Sequence, residues 1–331
     1  MRASRTAFWI WPLLALAFGL RVLGLPGLQV SGDDAWSVYL ALKDLPALTW
    51  ATAIDSHPPL YYYLLHFWMA ATGVTELSVR FPSALTGLLT VAVTYKLGRR
   101  VLGPSGGLLA GLLAAISPFL VYFDRMPRMY SLLTFLAALT LYLVFRLMQR
   151  PSALHFILYM ATILAALYTH YFGVFVMAAG FLVVALAWRT KLRLVLAWAG
   201  GHGFVFVLFL PWLLYILGPA VASTTQEYGS IGLPRPPNVL VVAEHFWTAL
   251  NVGNILEAGQ SKLLTLGLSL LWALGLLLVF RPWRRLRQIQ GNPLLLVPVT
   301  FVVLPLLGSV LAFLVTPYVP FTRLLLFAVP S

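Results

Sequence analysis

Two aspartates stand side by side at Asp33 and Asp34, within SGDDAWSVY at residues 31–39. The chain has nine acidic residues in all, so a doubled carboxylate just after an apolar run calls for a chemical reason. Adjacent carboxylates can divide labour: one with a raised pKa serves as general base, while its neighbour orients a group or binds a metal. The plainer reading has them solvated, with an aspartate capping the following helix. Asp55 and His57, two apart and ahead of the rigid Pro58-Pro59, could hold a phosphate, a sugar hydroxyl or a metal. Arg80 lies at the end of an apolar run, where it either snorkels to the interface or binds an anionic headgroup. A very short loop, Asp124-Arg-Met-Pro-Arg128-Met-Tyr130, carries three charges and a tyrosine. A simple turn needs no arginines, and lipid-phosphate binding explains them better. His170-Tyr171 sits at the tip of an uncharged hairpin, where interfacial packing accounts for it. Glu244-His245 could be a metal pair, although its spacing matches no specific metal motif. Arg323 repeats the pattern of an arginine entering an apolar span.

The elements that must position these residues are apolar. Of 331 residues, 61% are hydrophobic and 9% charged, against about a quarter charged in ordinary domains. Runs near 7–25, 79–98, 106–124, 129–148, 153–170, 171–188, 194–217, 263–280 and 294–315, with a partial one from about 321, approach the ~20 residues of a membrane-crossing helix. They are continuous rather than alternating, which argues against a barrel. The sequence predicts an all-α polytopic membrane protein of one transmembrane domain. Its N-terminal run carries Arg21 late and lacks a small-x-small cleavage site, which reads as a retained anchor. Zero cysteines exclude disulfides and thiolate chemistry.

The segment 57–73, HPPLYYYLLHFWMAATG, reads as an interfacial helix from its aromatics and its Pro-Pro start. With that choice Arg2, Arg5, Lys96, Arg99, Arg100, Arg146, Arg150 and the basic groups around 189–193 and 281–287 fall on the cytoplasmic side. The net charge of +13 is thereby explained by the positive-inside rule rather than by nucleic acid. Every acid falls on the opposite face. A first outer loop, about 26–78, and a second, about 218–262, are long enough to build a site there. No phosphate-binding glycine motif is present.

The ordered set resembles the polytopic GT-C glycosyltransferases, in particular the family 39 class of protein O-mannosyltransferases and lipid A aminoarabinose transferases. Asp33-Asp34 matches the acidic pair of their first outer loop, His57–Leu60 their HPPL segment with Asp55 before it, and Arg80–Gly87 their Arg-x-Pro-Ser-Ala-Leu-x-Gly stretch. Gly98–Arg100, the SPFLVYF…RMYSL run and YTHYFGVFV complete the order. Two departures stand out. Many members read Gln-Glu-Ala-Arg where this chain has Arg125-Met-Pro-Arg128, so either Asp124 substitutes for the glutamate or that role is absent. Position 34 is Asp rather than Glu. The chain also stops at Ser331 where members continue, and so reads as a short or truncated member.

The resemblance implies a bundle of about ten transmembrane helices with interfacial helices in the first outer loop. It implies an inverting transferase in the cell membrane, N-terminus cytoplasmic and active site extracytoplasmic. Such an enzyme moves a sugar from a polyprenyl-phosphate carrier to a hydroxyl on a protein, lipid or glycan. Asp33 would be the general base, with Asp34 its rival. Arg80, Arg128 and Arg323 would face the phosphate, with Asp55, His57, Asp124, Tyr130, His170 and Tyr171 around the donor. A divalent metal, if used, would draw on Asp34, Asp55, Glu244 or His245. The competing readings are a lipid-linked sugar transporter and an inactive subunit of the same fold.

Overall fold

The computed structural model describes residues 8–55, 57–188 and 190–227. Glu244, His245 and Arg323 lie outside the described residues, as do the expected spans beyond 262.

Ten helices fill the described chain: α1 Ile10–Val22, α2 Asp33–Ala41, α3 Leu45–Ile54, α4 Leu60–Thr72, α5 Glu76–Ile116, α6 Pro118–Asp124, α7 Tyr130–Gln149, α8 Ala153–Thr169, α9 Gly173–Ala187 and α10 Leu192–Glu227. Several start on residues whose side chains satisfy an orphan backbone donor. Asp44 accepts from Ala47 N at 2.8 Å, Thr75 from Ser78 N at 3.1 Å, Ser117 from Leu120 N at 3.4 Å and Ser152 from His155 N at 3.2 Å.

The 41-residue α5 is a hairpin rather than a rod. Gly103 breaks it with φ of 81°, a conformation glycine adopts without steric cost, and Pro104 begins the return arm. Small residues let the arms close: a Cβ on Gly98 would meet Ala110 Cβ at 2.8 Å, and one on Gly107 would meet Arg99 Cβ at 2.7 Å. The expected pair of spans, 79–98 and 106–124, is therefore one α-hairpin whose second arm ends in the short α6.

Among the described residues three helices are long and apolar enough to cross a membrane: Glu76–Ile116, Tyr130–Gln149 and Leu192–Leu217. Shorter apolar helices, Ile10–Val22 and Ala153–Thr169 among them, pack beside them. The chain is a multi-pass membrane protein. The uncharged stretch 153–188 turns between Thr169 and Gly173, as its length required. α10 continues as helix to Glu227, ten residues past the expected end of its apolar run.

The segment 26–78 folds into three helices, α2, α3 and α4. α4 has 13 residues, too few to span, and it is two-faced. Tyr61, Tyr62, Leu65 and Met69 are buried, while Leu64 and Phe67 are exposed. Trp68 stacks on Phe81 of α5 with ring centroids 5.5 Å apart, and its Nε1 donates to Ser78 O at 2.9 Å. α3 leans on α10, where the Trp50 and Tyr215 rings meet edge to face at 6.3 Å.

Candidate active site

α2 begins on Gly32, with φ of 55°, and no side chain caps it. Asp33 and Asp34 are thus first-turn residues, where negative charge meets the positive end of the helix. Neither serves as the expected cap. Asp34 is also not solvated: its side chain is 13% exposed and its Oδ2 accepts from Arg80 Nη2 at 3.0 Å. Its Oδ1 is buried without a partner. Burial raises the pKa of Asp34 above the ordinary aspartate value, against the Arg80 guanidinium, which lowers it.

Arg80 turns inward rather than snorkelling, and is 3% exposed. Besides Asp34 it donates to Leu28 O at 3.0 Å, Gln29 O at 3.1 Å and, more weakly, Glu76 O at 3.4 Å. One guanidinium therefore ties the 28–29 backbone and the paired aspartates to α5.

Above this knot lies a cavity of about 650 Å³. Its polar lining is Gln29, Ser31, Asp33, Asp34 and Arg80. Its apolar lining is Leu28, with Pro118, Val121 and Tyr122 of α6. Arg125 and Met126 of the loop that follows complete it. Among the charged residues that line the cavity, Arg125 is the one that sequence reasoning did not single out. The signal was present, because two arginines in so short a loop already called for an anion, but spacing alone could not tell Arg125 from Arg128.

Asp124, expected near the donor or in place of the missing glutamate, is not among the residues that line the cavity. Its Oδ2 accepts from Arg21 Nε at 2.8 Å and its Oδ1 from Ser131 Oγ at 2.5 Å, with the side chains of Arg21 and Asp124 0% and 4% exposed. Arg21 spends its remaining donors on the carbonyls of Ala17, Ala115 and Ala114. The pair locks α1 to α6, and Gly87 of α5 lies so close that a Cβ there would sit 2.2 Å from the Asp124 carboxylate.

The other sequence candidates form a second cluster beneath α2. Trp36 Nε1 donates to Asp55 Oδ1 at 2.9 Å. His57 Nδ1 lies 2.7 Å from Asp55 O and 3.1 Å from Asp55 Oδ2. A carbonyl oxygen can only accept, so this nitrogen carries the proton. The His57 ring meets His170 at 5.8 Å, and Tyr130 meets His170 at 6.4 Å. Arg128 is 4% exposed and sits over the Tyr130 ring at 5.8 Å. Its Nη1 donates to Ser37 Oγ at 3.2 Å and to Asp33 O at 3.4 Å. Arg128 thus braces α2 from below and does not line the cavity. Tyr171 points away, its hydroxyl accepting from Trp212 Nε1 of α10 at 3.3 Å. Among the described residues no three His, Asp or Glu side chains converge as a metal site would require, and Asp55 and His57 are turned to each other.

The architecture can now be set beside known proteins. The chain superposes on the crystal structure of ArnT from Cupriavidus metallidurans in the apo state with a TM-score of 0.58, at 15% identity, over 98% of this chain and 58% of that one. This is the GT-C fold. The structure of the same ArnT bound to undecaprenyl phosphate matches the GT-C fold here with a TM-score of 0.57, at 16% identity, over 97% and 58% of the two chains. The family model of dolichyl-phosphate-mannose–protein mannosyltransferases matches residues 56–215. An uncharacterized protein of Aquifex aeolicus is 28% identical over 209 residues, which are 62% of this chain and 42% of that protein. The chain thus spans under two thirds of the length of ArnT and under half of the Aquifex relative.

Proposed function

We propose that the protein is an inverting membrane glycosyltransferase that moves a sugar from a polyprenyl-phosphate carrier to an acceptor hydroxyl on the extracytoplasmic face. The observation that carries this reading is the cavity, lined by the paired aspartates and two arginines together with apolar residues of α6. A polyprenyl-phosphate sugar has the matching parts, with a long apolar chain, a phosphate and a polar sugar. The family model over residues 56–215 and the ArnT fold support it, as does the undecaprenyl phosphate bound to ArnT.

In the proposed reaction the acceptor oxygen attacks the anomeric carbon from the face opposite the phosphate. The acceptor's proton passes to the Asp33 carboxylate, and the bond between the anomeric carbon and the phosphate oxygen breaks. The leaving polyprenyl phosphate gains one negative charge, so it needs no strong general acid. Asp33 and Asp34 both line the cavity; the resemblance of the pair to the acidic pair of the family gives the base role to Asp33, and the ion pair with Arg80 gives Asp34 the task of fixing α2 and Arg80. Cations near the growing charge lower the barrier.

The reading is tested in membranes supplied with a panel of polyprenyl-phosphate sugars labelled in the sugar. Transfer of label into a protein, lipid or glycan fraction is expected. Binding of these donors without transfer to any acceptor would contradict it.

A further inference from the structure

Resting on the proposed donor site, we infer that Arg125 is the group that binds the donor phosphate. Of the arginines in this region only Arg80 and Arg125 line the cavity among the described residues; Arg128 also has a buried, unpartnered Nε but lies outside the lining. Arg80 is held by Asp34 and backbone carbonyls, Arg21 by Asp124 and three carbonyls, and Arg128 is buried beneath α2. Arg125 lines the cavity and takes part in none of the ion pairs among the described residues. Its Nη2 donates to Leu23 O at 3.0 Å, and its Nε is buried without a partner. A buried guanidinium donor left unmet is costly, and a phosphate oxygen is the acceptor whose charge and geometry a guanidinium fits best.

Its place in the chain bears on the pose. Arg125 follows directly on α6 and lines the same cavity as Val121 and Tyr122 of that helix and as Asp33. A phosphate held there directs its prenyl chain along Val121 and Tyr122 and its sugar toward Asp33. The buried Arg21–Asp124 pair holds the residue before Arg125 to α1, and the Leu23–Gly24 turn receives the guanidinium, with Gly24 at φ of 75°. The anion site is therefore built before the donor arrives. Met126 matters for what it lacks: a carboxylate at that position would compete with phosphate for Arg125. The ligand class is a prenyl chain ending in a phosphate.

The test is equilibrium binding of radiolabelled farnesyl phosphate, and of neutral farnesol, to the full chain purified in detergent. Arg125→Gln is expected to bind farnesyl phosphate about tenfold more weakly or worse, the scale of a charged hydrogen bond removed, with farnesol binding unchanged. Met126→Glu keeps the arginine and adds a competing carboxylate, so it should weaken the same ligand while retaining farnesol. Arg125→Gln and Met126→Glu proteins that bind farnesyl phosphate as the wild type does would overturn the assignment to Arg125 alone. A wild type that binds farnesyl phosphate no better than farnesol would overturn the donor site and this inference with it.

Discussion

Arg21 Nε lies 2.8 Å from Asp124 Oδ2, joining residues 103 apart in sequence through an ion pair closed to solvent. It anchors the end of α6, and thereby one wall of the cavity, to the first helix. Removing one partner of such a pair leaves a buried charge uncompensated, which costs about 3–5 kcal/mol. Arg21→Met should therefore melt well below the wild type in detergent. The double variant Arg21→Met/Asp124→Leu, which leaves no unpaired charge, should recover most of the loss. A single variant as stable as the wild type would show that the pair holds nothing.

Gly87 tests the same contact from the other side. A Cβ there would sit 2.2 Å from the Asp124 carboxylate, so Gly87→Ala must push that group off Arg21. We expect a loss of roughly 2 kcal/mol or more from overpacking and a strained ion pair. Combining it with Asp124→Ala, which vacates the space, should cost less than the sum of the two single changes. Thermal unfolding of the four proteins gives the coupling, and strict additivity would contradict the contact.

Asp34 and Arg80 make a pH prediction. Burial raises the pKa of Asp34, while Arg80 lowers it, and the pair holds its geometry only with Asp34 ionised. Transfer should fail as pH falls through that raised pKa, above the ordinary aspartate range. In Arg80→Gln the lowering influence is gone and burial acts with less opposition, so the acid limb of the rate profile should move to higher pH. A limb that stays in place or moves down would contradict the coupling. Arg80→Lys should not rescue the profile, because an ammonium cannot reproduce four directed bonds from one planar group.

Much of the fold was legible because lipid reduces the possibilities. Apolar runs gave the helices, the absence of charge over 153–188 forced a hairpin, and Gly103-Pro104 marks the break in α5. The site was legible in part. Asp33, Asp34 and Arg80 come together across 46 residues, and Asp55, His57, Tyr130 and His170 gather in a second cluster. What spacing could not carry was the partner of each charge. Arg21 read as a late charge in an apolar run, yet it fixes Asp124. Arg125 and Arg128 are three apart, on a non-helical turn after α6, so no helical periodicity states which faces the cavity. Spacing likewise did not state that Asp124 is paired with Arg21 and Ser131.

The most direct test of the central claim compares the wild type with Asp33→Asn in one membrane assay that reads donor binding and sugar transfer separately. Loss of a general base should slow transfer about a hundredfold or more, while affinity for the polyprenyl-phosphate sugar stays near that of the wild type. Transfer by Asp33→Asn at the wild-type rate would contradict the assignment of Asp33 as the base in this cavity.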